Sequence, residues 1–393
     1  MRWNAARRTN RVPFMDSRRC VWEWGKARRR LWNGLELEMA RPLTGRKDLD
    51  EVTTNVRKAA ALKAALELEV FTRIADGNFS LPAFARVTGF NERAARLLLD
   101  ALANMGYLAR GEFEYTLSPT AETFLVKGKK EYLGDVLLAQ WAWDARGSTG
   151  RAVRSNKPLT AWLEANRDLP RALATWYDPE TARQEFAPVW DEIAFEFQPN
   201  AQLQLLAFGV EAGLRALTFL QKFSRARLLV LDESGHLARL RPIVEAVQLH
   251  KRVEFQQGEW LTPLAQDTFD LVMVDTITEL HSVEENIGIL HNAHEALKME
   301  GWIVLRAAME EDDRRGPGMV PLWGLDVLLG SADADVYTRT EYRGMLEASG
   351  FFKVEPVGER LNLWTARRLP PPPPPPPVAD VAPDFIPDPI VFS

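Results

Sequence analysis

The segment Leu228-Leu-Val-Leu-Asp232-Glu-Ser-Gly-His236 narrows the possible folds more than any other. An apolar run enters an acidic residue and then a tight turn, as strands do at the ligand edge of a nucleotide-binding α/β sheet. Such turns carry several glycines, because the backbone must approach a ligand closely and take φ > 0 without a Cβ clash. Here Gly235 alone supplies that freedom. Read as the first strand of its sheet, the segment keeps the fold signal while its ligand-cradling turn looks eroded. Fold and function therefore need separate arguments.

From Arg225 onward apolar strands alternate with helices. The strands are Leu228–Leu231, Val253–Phe255, Leu271–Val274, Trp302–Leu305, Phe351–Val357 and Leu361–Thr365. The helices are Pro242–Leu249, Val283–Leu297, Leu322–Leu329 and Glu341–Ala348. This alternation predicts an α/β domain over 225–368, with a mainly parallel, Rossmann-like sheet covered on both faces and its last two strands paired as an antiparallel edge. Upstream, apolar residues at helical spacing predict a long helix from Glu51 to Ile74. Ser80 and Asn91 are N-cap residues for helices over Leu81–Val87 and Glu92–Met105. The stretch from Tyr107 to Leu117 reads as a hairpin about Gly111, and Ser118-Pro119 opens another helix. Together these make an all-helical, winged-helix domain over 46–130. Residues 131–224 read as a helical linker rich in aromatic residues, either core or the wall of a substrate cavity.

The ends differ in kind. Residues 1–33 hold ten Lys/Arg against Asp16 and Glu23, with tryptophans interleaved. This basic extension, 1–45, suits a solvated tail or an anionic surface. Eight prolines, Pro370–Pro377, make 369–393 a stiff tail that could meet a proline-binding protein partner. Cys20 is the sole cysteine, so no internal disulfide or cysteine metal cluster can form, and a reducing, cytoplasmic setting is expected. No apolar run approaches the ~20 residues of a membrane helix. The helix Glu92–Met105 is too apolar for DNA: Arg93 and Arg96 are opposed by Asp100, and nucleic acid is not an expected partner.

Several landmarks occur in register. They are Ala59-Ala-Ala-Leu62 through Leu68-Glu-Val-Phe71 with Ala75-Asp-Gly77, Ala94 to Leu102 with Gly106-Tyr-Leu108, Glu295-Ala-Leu297 with Gly301, and Thr338-Arg-Thr-Glu-Tyr342 with Ala348-Ser-Gly-Phe351. Over roughly residues 50–367 this pattern resembles the winged-helix, S-adenosylmethionine-dependent O-methyltransferases, such as the caffeic-acid-type plant and bacterial natural-product enzymes. The resemblance implies a homodimer formed through the winged-helix domain and S-adenosylmethionine as cofactor. Its cofactor turn reads acid, apolar, then several glycines, and its second strand ends in an acid that bonds ribose hydroxyls. Placed on the first strand, Asp232 and Gly235 are the cofactor-binding candidates, with Glu259 in Gly258-Glu-Trp260 at the adenine contact. The passage from Asp232 to Gly258 then looks too short, as if the ribose strand were deleted.

In the plant-type enzymes a histidine after the fourth strand removes the acceptor proton. The resemblance puts Glu279 there and His281 two positions away, making these the catalytic candidates. Carboxylates that accompany the histidine fall on Arg306 and Thr338. The losses together lead to the expectation of a pseudoenzyme with a degenerate cofactor site, binding S-adenosylmethionine or no cofactor, and serving a binding, scaffold or regulatory role. The alternatives are an active O-methyltransferase for a small aromatic or polyketide-like hydroxyl, and a ligand-sensing winged-helix DNA-binding regulator. His291 and His294 stand one helical turn apart without an apparent third metal ligand, so no metal is expected.

Overall fold

The computed structural model describes residues 45–370 apart from 78–79, 113, 130, 161, 163–178, 199, 233–236, 317–319 and 358–361. Residues 1–44 of the basic extension, residues 371–393 of the proline tail and Gly235 lie outside the described residues. The N-terminal domain holds α1 (Arg46–Glu67), α2 (Val70–Ala75), α3 (Leu81–Thr88), α4 (Glu92–Asn104), the hairpin β1 (Leu108–Arg110) and β2 (Tyr115–Leu117), and α5 (Pro119–Phe124). Capping sets its corners. Ser80 accepts from Ala83 N, Asn91 from Ala94 N and Ser118 from Ala121 N, and Gly89 ends α3 at φ +71°. The helix expected over Glu51–Ile74 is broken, because Glu69 sits at φ +54°. Lys127 Nζ, 2.8 Å from Glu69 Oε1, helps hold that left-handed residue. Leu66, Phe71, Phe84, Leu99 and Leu102 fill the core of this domain.

The connecting region forms α6 (Gly134–Trp141), α7 (Trp143–Gly147), α8 (Thr149–Ser155) and α9 (Pro179–Ala194). Part of its aromatic content is core. Phe186 stacks on Trp190 at 5.4 Å, and Trp190 meets Phe219 edge-on at 5.1 Å. The Trp190 indole N–H donates to Thr218 Oγ1 at 2.8 Å. Trp176 and Tyr177 lie outside the described residues.

The C-terminal domain is built from β3 (Gln204–Phe208), α10 (Gly209–Lys222), β4 (Arg227–Asp232), α11 (Leu237–Ala246), β5 (Val253–Gln257), β6 (Phe269–Asp275), α12 (Val283–Ala296), β7 (Leu297–Arg306), α13 (Val320–Gly330), α14 (Arg339–Ala348), β8 (Phe352–Pro356) and β9 (Leu363–Arg367). They form one seven-stranded sheet in the order β5-β4-β3-β6-β7-β9-β8. The first five are parallel, and β9 runs antiparallel to both β7 and β8. Two expectations are corrected here. The sheet begins at Gln204, inside the stretch read as helical linker, so the domain does not start at 225. The strand β4 is then the second of this sheet in chain order, and the passage β4–α11–β5 is complete, with no strand deleted. Among the described residues no helix is long and apolar enough to cross a membrane.

Candidate active site

The chain leaves β3 toward β4 and β5, then returns to β6 on the other side of β3. The crevice lies where that direction reverses, at the carboxyl ends of the strands. The turn that faces it is therefore Ala207-Phe208-Gly209-Val210-Glu211-Ala212-Gly213, not the one after Asp232. Gly209 has φ +88°, and a Cβ there would stand 3.3 Å from Ile277 Cγ2. Gly213 lets α10 lie close against the sheet, since a Cβ would come within 2.9 Å of Leu240 Cδ2 and 3.0 Å of Val230. These are the two tasks that glycines perform in a nucleotide turn, a strained backbone and close helix–strand packing. Measured on this strand the turn still departs from the expected pattern: Ala207 replaces the acid, and Val210 and Glu211 occupy glycine positions.

Asp232 closes β4 and is 4% exposed. Its Oδ2 accepts from the Val210 N–H at 3.1 Å, which ties the carboxylate to the start of α10. Gly258 N donates to the Asp232 carbonyl at 3.3 Å, so Gly258 and the exposed Glu259 stand beside it at the end of β5. Trp260 is buried, its indole N–H donating to Leu231 O at 3.2 Å. Asp232 and Glu259, two of the sequence-derived cofactor candidates, thus come together.

Behind the turn lies a buried ionic cluster that sequence reading missed. Asp275 ends β6 and is fully buried; Arg306 ends β7 at 3% exposure. Arg306 Nη1 is 3.1 Å from Asp275 Oδ1, and Arg306 Nε is 2.9 Å from Glu185 Oε1 of α9. Arg215 of α10 donates to Glu211 Oε2 at 2.7 Å. Its Nε lies 3.0 Å from Asp275 Oδ2, close enough for ionic attraction but misaligned for a hydrogen bond. Burial alone would lower the Arg215 pKa, but Asp275, Glu211 and Glu185 more than offset it and the net shift is upward. Among the described residues Glu211 Oε1 and Asp275 Oδ2 are buried without a hydrogen-bond donor. For the Glu211 oxygen this carries a desolvation cost of about 1–3 kcal/mol that a cationic ligand group would relieve, whereas Asp275 Oδ2 is compensated by the Arg215 guanidinium.

The two catalytic candidates do not converge. Glu279, in a single 3-10 turn over Thr278–Leu280, is 1% exposed. One oxygen accepts from Ala308 N at 2.6 Å and the other from Thr278 Oγ1 at 3.2 Å, while Thr278 also bonds the Tyr342 hydroxyl. Burial pushes the Glu279 carboxyl up to about 7. His281 points elsewhere: its Nδ1 lies 2.8 Å from Ile277 O, and its ring meets Trp260 edge-on at 5.6 Å. Thr338 caps α14 in a capping box with Glu341. In the winged-helix domain Arg96 and Arg110 both pair with Asp100, at 3.2 and 2.8 Å.

Comparison with known proteins places this geometry. Family models for an O-methyltransferase dimerisation domain and an O-methyltransferase domain match residues 51–127 and 193–352. The chain is 23% identical over 320 residues to the 3-hydroxy-5-methyl-1-naphthoate 3-O-methyltransferase of Streptomyces sahachiroi, covering 79% of this chain and 90% of that one. It is 25% identical over 323 residues to the tetracenomycin polyketide synthesis 8-O-methyl transferase TcmO of Streptomyces glaucescens, covering 79% and 92%. A solved structure of PigF with SAH, PigF being a methyl transferase of a Serratia strain, superposes with a TM-score of 0.67 at 20% identity and covers 84% of this chain and all of that one.

Proposed function

Since this chain belongs to the S-adenosylmethionine-dependent O-methyltransferases with an N-terminal dimerisation domain, we propose that it transfers a methyl group to a hydroxyl of a small aromatic or polyketide-like molecule. The observation that carries this reading is the placement of Asp232 on the second strand, 3.1 Å from Val210 N at the start of α10. On that strand it is the ribose-binding acid that the resemblance calls for. The expectation of a degenerate pseudoenzyme rested on the glycine turn, a deleted ribose strand and the replacements at Glu279, Arg306 and Thr338 together. The deletion falls because the β4–α11–β5 passage is complete, and the relatives favour the active enzyme.

The residues present fit the cofactor. Gly209 provides the left-handed turn, Asp232 lies next to Gly258-Glu259 along the nucleoside path, and Glu211 Oε1 offers a buried acceptor for a cationic donor. S-adenosylmethionine supplies an electrophilic methyl on sulfur. The chain's share of the work is to align that methyl with the acceptor oxygen and exclude water, which accounts for most of the rate gain in such a transfer. Of the candidate bases, His281 fits proton removal better. Its Nδ1 is anchored on Ile277 O, which orients the ring, whereas both Glu279 oxygens are already committed. The DNA-regulator reading loses support because Arg96 of α4 and Arg110 of β1 both pair with Asp100.

Calorimetry with S-adenosylhomocysteine tests the proposal. Binding is expected for the native chain, and Asp232→Ala should weaken it by about tenfold or more, the loss of a charged hydrogen-bond acceptor. Methyl transfer to phenolic acceptors should follow. Absence of both binding and thermal stabilisation would overturn the reading.

A further inference from the structure

We propose that His291, His294 and Glu295 form a binding site for a divalent transition-metal ion of the zinc type, at the edge of the sheet opposite the methyl-transfer crevice. The site follows from placement. The last turn of α12 leads directly into the start of β7, and Asp267 N and Thr268 N, just before β6, donate to the carbonyls of Glu295 and Ala296. These are the amino ends of the parallel strands, whereas the crevice lies at their carboxyl ends.

The three side chains offer ligand atoms that all lie within 4.8 Å of one another. Around a tetrahedral ion with bonds of about 2.1 Å, ligand atoms stand about 3.4 Å apart, so small side-chain rotations close the site. One pair is already at that spacing, with His294 Nδ1 3.0 Å from Glu295 Oε1. The His291 and His294 rings lie nearly parallel, 10° apart in plane and 6.3 Å between centroids, as side chains one helical turn apart can.

The surroundings hold the ligands in place. The His294 ring meets the edge of Phe351 at 5.2 Å. It also leans on Gly350, where a Cβ would come within 3.1 Å of Nε2. Gln266 Nε2 donates to Glu295 Oε2 at 3.4 Å, an outer contact of the sort that orients metal-bound carboxylates. Arg368 is the nearby cation, 3.8 Å from Glu295 Oε1, but its charge is engaged by Asp267 Oδ1 at 2.8 Å and by backbone carbonyls. The carboxyl-terminal end of a helix favours a cation. Two imidazoles with one carboxylate select zinc, nickel or copper over calcium and magnesium. All three ligands stand on α12, so the bound ion would brace its last turn, and Gln266 of the loop before β6 would join it only through Glu295. Its role is structural, independent of the methyl-transfer reading.

The test uses the full, tag-free chain stripped of metal. Zinc chloride should raise the thermal midpoint saturably, magnesium should not, and cobalt(II) should give visible ligand-field absorption. His291→Ala, at an exposed position, should keep the fold and the affinity for S-adenosylhomocysteine while lowering zinc affinity by more than about tenfold; Gln266→Ala should cost about tenfold. No saturable zinc shift, or one retained undiminished in His291→Ala, would overturn the site.

Discussion

Burial raises the Glu279 carboxyl from 4.5 to about 7, with Asp275 adding to the rise while bonds from the Ala308 and Glu279 backbone N–H groups and Thr278 oppose it. The consequence for stability has a definite sign. Between pH 4.5 and about 7 the folded state holds a proton that the unfolded state has released. Stability therefore falls as pH rises through that window and levels off above it, by an amount on the order of 3 kcal/mol. Glu279→Gln keeps an acceptor for the Ala308 N–H and carries no charge. Its urea midpoint should exceed that of the native chain at pH 8 and approach it near pH 4.5; parallel pH profiles would refute the assignment. The same variant separates two roles: retained methyl transfer marks Glu279 as a loop anchor, and abolished transfer in a stable protein marks it as the base.

Most elements were legible because their ends carry chemistry. Ser80, Asn91 and Ser118 each cap the helix they precede, and the alternation from Arg227 onward is found with shifted ends. The element missed was β3. Its five residues, Gln204–Phe208, run into α10 at Gly209 without a polar loop, so strand and helix read as one apolar helical stretch. That single miss displaced the site by one strand, turned the acid of the second strand into that of the first, and manufactured a deletion. The signal that could have found it is Phe208-Gly209 followed by Gly213, the glycine spacing of a nucleotide turn. The ionic cluster was illegible for another reason: Glu185, Glu211, Arg215, Asp275 and Arg306 come from four elements, and their sequence separations carry no periodicity.

The turn can be probed through its glycines. Gly213→Val puts a branched side chain where Cβ alone would meet Leu240 at 2.9 Å and Val230 at 3.0 Å. Overpacking of that kind should cost about 1–3 kcal/mol. Gly344→Ala, in α14 with nothing within 4 Å of the added carbon, should instead stabilise by about 0.5–1 kcal/mol. Denaturant midpoints moving in opposite directions would confirm that α10 is pressed onto the sheet; a neutral Gly213→Val would deny it.

The two domains meet different demands, and α1 shows this in its unsatisfied face. Leu62, Ala65 and Leu66 near its end enter the domain's own core, whereas Leu49, Val52 and Val56 remain 62%, 59% and 53% exposed. Their spacing by three and four residues puts them on one stripe, a surface that suits a second helix. The segment from 51 onward matches a dimerisation domain, which names the expected occupant as a second copy of the chain. Light scattering should find a dimer, and Val52→Asp combined with Val56→Asp should shift it to monomer with helical content retained. Two charges placed in an apolar contact lose both burial and solvation, which is ample to separate a helix-mediated pair. If the partner copy helps frame the acceptor cavity, monomerisation should raise the acceptor KM while leaving S-adenosylhomocysteine affinity near its native value, because Asp232, Gly209 and Glu259 all belong to one chain. A variant that stays dimeric would move the interface to another face of the domain, and a native chain that is monomeric would remove the partner altogether.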